Sequence, residues 1–102
     1  MAQLPLSLDF IRQVLAEYFA DKPVQRVEIF GSYARGEATA ESDVDLLLIK
    51  TPGAQVSLFK LVHYQDDLEQ KLGLKVDLGT ALSPFSRPYI EPDLKVIYEQ
   101  AA

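Results

Sequence analysis

The chain has 102 residues, 48% of them hydrophobic and 25% charged, with a formal net charge of −5 and no cysteine. That is the length of one domain, spanning 1–102, with enough apolar matter for a modest core and too much for a disordered chain. The missing cysteines exclude disulfides and thiolate metal sites and fit a reducing cytoplasm.

The opening "MAQLPLSLDF" lacks a basic segment followed by an apolar one, so no secretory signal is expected. No apolar run approaches the length of a membrane span. Pro5-Leu-Ser7 precedes a helical repeat in which Leu8, Ile11, Leu15 and Tyr18 or Phe19 recur, with Ser7 as the N-cap and Asp9 at the positive end. Pro23 ends it, and Val24 to Phe30 reads as a strand with Val27 and Ile29 on one face. Gly31 to Ser42 is a polar loop with room for one helical turn. Asp43 to Ile49, apolar after its first acids, is the strongest strand signal. Thr51-Pro-Gly53 breaks it.

Val56 to Leu72 predicts a second helix, with Leu58, Leu61, Val62, Leu68 and Leu72 on its inner face and Gly73 as C-terminal cap. "LKVDLG", Leu74 to Gly79, reads as a short strand. The proline-broken "SPFSRPYIEP" holds one helical turn at most, and "LKVIYE" is either a strand or a short helix.

Alternation puts Asp43 and Asp45 on one side of their strand, roughly 6.6 Å apart along it. If "LKVDLG" pairs beside that strand, Asp77 joins them. Three carboxylates on a rigid sheet form an oxygen-only donor set, which suits Mg²⁺ or Mn²⁺ rather than zinc. Between Glu28 and Asp45 five acids face only Arg35, and a divalent cation would relieve their repulsion. The competing reading is a solvated strand start. Gly31 ends the preceding strand without a Cβ, Ser32 adds a hydroxyl, and the amides after it point at an anion if a helix begins there. Arg35 either donates a bidentate pair to phosphate or neutralises Glu37 or Glu41. Tyr33 either packs or leans on a nucleotide, and lone His63 has no ligand partner. Gly36 reads as an ordinary turn glycine. The ten Lys and Arg residues are scattered, so there is no basic stripe for a nucleic-acid backbone.

Gly31-Ser32, ten residues, Asp43-Val-Asp45 and the later Asp77 together resemble the nucleotidyltransferase signature of the DNA polymerase beta superfamily. The run "GSYARGEATAESDVDLLL" is closer still to the minimal nucleotidyltransferases, small proteins commonly acting as antitoxins to HEPN-domain RNase toxins. The resemblance implies an α+β fold of polymerase-beta type, a small mixed sheet flanked by helices on one face. It implies ATP as substrate, bound through Gly31, Ser32 and Arg35. Two Mg²⁺ ions would be held by Asp43 and Asp45, with Asp77 completing the second site and helping to deprotonate the acceptor. The implied reaction is AMP transfer to a tyrosine of the toxin, in a hetero-oligomer, with no direct nucleic-acid or membrane partner. The alternative is a binding module that neutralises the toxin by masking its surface without catalysis.

Overall fold

The computed structural model describes residues 4–81 and 84–101. Helix α1 spans Leu8–Phe19. The Ser7 hydroxyl accepts the Phe10 amide at 3.1 Å, filling one of the donor positions a helix start leaves open. Strand β1, Val24–Phe30, runs directly into a five-residue helix α2, Gly31–Arg35, the turn expected within the loop. Strand β2 covers Val44–Lys50, so Asp43 stands just ahead of the paired residues. Helix α3, Leu58–Leu72, closes on Gly73 at φ 74°, a left-handed cap that favours glycine. Strand β3 is Val76–Gly79. Helix α4, Arg87–Ile90, continues into a 3-10 turn at Glu91–Asp93, and strand β4 is Lys95–Glu99. The ambiguous "LKVIYE" is a strand because it pairs antiparallel with β1.

The sheet order is β3-β2-β1-β4. β1 is antiparallel to β2 and β4, whereas β2 and β3 are parallel, joined by α3 as the crossover such pairing requires. α1 and α3 pack together on one face, where Tyr18, Phe19 and Tyr64 meet edge-on. Val44, Leu46, Leu48, Val76 and Leu78 are buried beneath these helices. Their strand neighbours Asp45, Leu47, Asp77 and Gly79 therefore occupy the opposite, open face.

The inner face of α3 differs from the expected one. Tyr64, Leu68 and Leu72 are buried, whereas Leu58 and Val62 are 74% and 49% exposed. Helical spacing permits either stripe. The Tyr64 ring, 5.7 Å from that of Phe19, settles the rotation.

α3 also closes the outer edge of β3. The Val76 amide donates to Glu69 Oε2 at 3.0 Å and the Leu78 amide to Gln65 Oε1 at 3.1 Å. These side chains blunt an edge that would otherwise template another strand. Glu69→Ala is expected to cost about 1 kcal/mol, seen as a melting point lower by roughly 4–8 °C; an unchanged melting point would mean water replaces the carboxylate at no loss. Among the described residues no helix is long and apolar enough to cross a membrane.

Candidate active site

Sheet register brings the acids together. Asp45 pairs with Phe30 of β1 on one side and with Asp77 of β3 on the other. Adjacent strands lie about 4.8 Å apart, so Asp45 and Asp77 are neighbours on the open face by main-chain pairing alone. Asp43 precedes the strand and shares a cleft with Asp77, lined also by Glu69 and Lys75. Asp43 and Asp77 are exposed, and Asp45 is half-buried.

Burial raises the Asp45 carboxyl above the usual carboxylate range. Asp77 and then Asp43 add to the rise, and Arg35 opposes it from a distance. Among the described residues, none of these three carboxylates accepts a hydrogen bond or stands in an ion pair. Nor, among those residues, are any three His, Cys, Asp or Glu side chains already arranged to hold a metal ion. The backbone thus supplies the neighbourhood, with the side chains uncompensated within it.

Gly31 has φ +76°, and a Cβ there would collide with Asp45 Oδ2 and come within 3.2 Å of its Cγ. The room left by the missing side chain is filled by the Asp45 carboxylate, a use of this glycine that the sequence reading does not include. Ser32 follows, half-buried at the start of α2. With five residues α2 adds little dipole, so a phosphate contact here depends on the Ser32 hydroxyl. Gly36, at φ 74° with open space around it, is the C-cap of α2.

Arg35 is engaged within the protein. Its Nε donates to Glu37 Oε1 and its Nη1 to Asp93 Oδ2, both at 2.8 Å. The first contact is one of the two neutralising roles read from the sequence. The second ties α2 to the 3-10 turn. Tyr33 packs: its ring is buried and its hydroxyl accepts the Leu6 amide at 3.2 Å. His63 lies 3.3 Å from Asp67, which also accepts the Tyr18 hydroxyl, so it belongs to the contact between α1 and α3. Burial, and then Asp67, push the Tyr18 hydroxyl up. Sequence reasoning missed a groove beside Asp77, lined by Phe30, Leu47, Gly79, Ala81 and Ile90. Its signal was present in the alternation that sets Leu47 on the face of Asp45 and Gly79 on that of Asp77.

The sheet order and its flanking helices are those of a polymerase-beta-like nucleotidyltransferase fold, and residues 10–99 match the nucleotidyltransferase domain family, to which the chain belongs. A Methanocaldococcus jannaschii protein provisionally named a protein adenylyltransferase is 38% identical over 95 residues, covering 86% of this chain and 95% of its own. The protein adenylyltransferase MntA of Thermococcus cleftensis is 46% identical over 57 residues, 54% of each chain. A solved structure provisionally assigned as a minimal nucleotidyltransferase superposes with a TM-score of 0.70 at 30% identity, over 91% of this chain and 98% of that one. A toxin-antitoxin crystal structure with AMP-PNP gives a TM-score of 0.71 at 20% identity, over 93% and 75% of the two chains, a likeness of fold alone.

Proposed function

We propose that this chain, as one catalytic domain, transfers AMP from ATP to a tyrosine hydroxyl of a HEPN-domain RNase toxin and so acts as its antitoxin in the cytoplasm. The observation that carries the reading is Asp45: a half-buried carboxylate set beside Asp77 by strand pairing, given room by Gly31 and, among the described residues, without an ion-pair partner. Retaining such a group in a small fold is costly unless a ligand neutralises it. The relatives named protein adenylyltransferases support AMP as the group transferred. A neighbour in fold, a tri-AMPylated Shewanella oneidensis HEPN toxin in complex with its MNT antitoxin, supports the partner. A net charge of −5 suits a basic, RNA-handling protein.

Oxygen-only donors and an uncompensated Asp45 fit Mg²⁺, or Mn²⁺ in its place. Asp43 and Asp45 would hold two ions, and Asp77 would join them at the second. Bound there, such an ion would neutralise charge building on the transferred phosphoryl group. Asp43 and Asp77 are exposed, so their side chains have room to turn toward such an ion. Ser32 donates its hydroxyl to the triphosphate, and Arg35 reaches it by releasing Asp93. Asp77 takes the proton from the acceptor hydroxyl as that oxygen attacks the α-phosphorus. The bond from the α-phosphorus to the bridging oxygen breaks, its electron pair leaves with pyrophosphate, and AMP remains as an ester on the acceptor.

The test is incubation with ATP, Mg²⁺ and the HEPN toxin, followed by intact mass measurement of both proteins. One or more AMP units on the toxin are expected. A toxin that is neutralised yet unchanged in mass would establish masking in place of catalysis.

A further inference from the structure

We infer that the groove beside Asp77 is the acceptor seat and takes the aromatic ring of a hydroxyl-bearing side chain presented by a protein. The inference rests on the transfer reading above. The groove crosses three strands of the open face, from Phe30 through Leu47 to Gly79, and Ile90 of α4 forms its far wall. Asp77 is the ionisable group lining it among the described residues. Ser86 lies beside Ile90 in the lining. A ring held against the apolar part of these walls places its hydroxyl at a carboxylate, which satisfies the polar end. An aliphatic hydroxyl would leave the walls unfilled.

Size points the same way. The groove offers about 260 Å³, below the roughly 300–1,000 Å³ of sites that enclose whole drug-sized ligands. That is the scale of a side chain. Its floor is Gly79, where an added Cβ would meet nothing within 4 Å. Glycine weakens a strand, and an open floor is a reason to have one here.

The chain next to the groove suits a protein rather than a small molecule. Phe85 and Tyr89, adjacent in sequence to Ser86 and Ile90 of the lining, are 88% and 82% exposed. Large exposed rings of this kind are enriched where proteins meet. With Asp77 at the mouth and Asp45 and Asp43 near it, the segment presenting the ring must be neutral or basic, because an acidic one would be repelled.

The experiment uses N-acetyl-tyrosinamide and N-acetyl-serinamide as probes, read by the methyl resonances of Leu47, Ala81 and Ile90. The tyrosine compound is expected to shift them and the serine compound to leave them still. Gly79→Val, which fills the floor with a residue favoured in strands, should weaken the response at least about ten-fold. The stabilisation by Mg²⁺ and a non-hydrolysable ATP analogue should persist in that variant. Ile90→Glu attacks the opposite wall and should give the same result should Gly79→Val disturb β3. Equal responses to both probes would overturn the inference. So would loss of the ATP-analogue effect in Gly79→Val, which would assign the groove to the adenine. AMP transfer to protein that survives both variants would remove the seat and leave the function standing. Seating of the ring without transfer to any protein would do the reverse.

Discussion

Gly31→Ala is expected to destabilise the protein by at least about 2 kcal/mol and to abolish its response to nucleotide. Two costs coincide at this position. The residue has φ +76°, where an L side chain is strained, and the new methyl group would occupy the space of the Asp45 carboxylate. Something must move, and Asp45 is the group nearest. The melting point should fall on the order of 10 °C, and Mg²⁺ with an ATP analogue should no longer raise it, since such a rise requires binding to the folded state. Gly36→Ala is the control. Its φ is +74°, but nothing lies within 4 Å of the added carbon, so it should carry only the conformational part, about 1 kcal/mol. Equal melting points for the two variants, with nucleotide stabilisation intact in both, would show that the Gly31–Asp45 contact has no consequence.

Asp45→Asn should divide stability from activity. In metal-free buffer the folded protein holds the Asp45 carboxyl above its ordinary range, chiefly through burial and then through Asp77 and Asp43. Such a group contributes stability that is complete below the ordinary carboxylate pKa of about 3.9 and is lost as pH rises through the raised value. At neutral pH the wild type therefore carries an ionised carboxylate that folding disfavours, and the amide removes it. The variant should melt above the wild type at pH 7, with the gap closing as the buffer is acidified. The same change should lower AMP transfer roughly 10²–10³-fold or more and cancel the Mg²⁺-dependent stabilisation. A variant that melts below the wild type at pH 7, or a gap that widens in acid, would contradict this account of the site.

What could be read beforehand divides along the range of the interactions. α1 was legible because its start, Ser7, and its stop, Pro23, lie next to the periodic run they bound. The acid row was legible because alternation fixes which residues share a face, and strand pairing then needed only β3 to lie against β2. The inner stripe of α3 was not legible, because its rotation depends on an aromatic contact with α1. The second partner of Arg35 is Asp93, 58 positions away, and no local pattern announces that pair. Gly31 stood out as a glycine, yet its reason, a carboxylate from the next strand, exists only after folding. The groove beside Asp77 likewise needs Ile90 of α4 brought near Leu47 and Gly79.

The parity of β2 and β3 has a consequence for quality control. Val44, Leu46, Val76 and Leu78 are buried on one side while Asp45 and Asp77 occupy the other. A slip of either strand by a single residue would drive a carboxylate into the oil and strand a valine or leucine in solvent. Such a molecule would not persist as a well-folded but dead enzyme; it would fail to fold. Assembly of the interior thus proofreads the surface, and any chain that passes carries Asp45 beside Asp77.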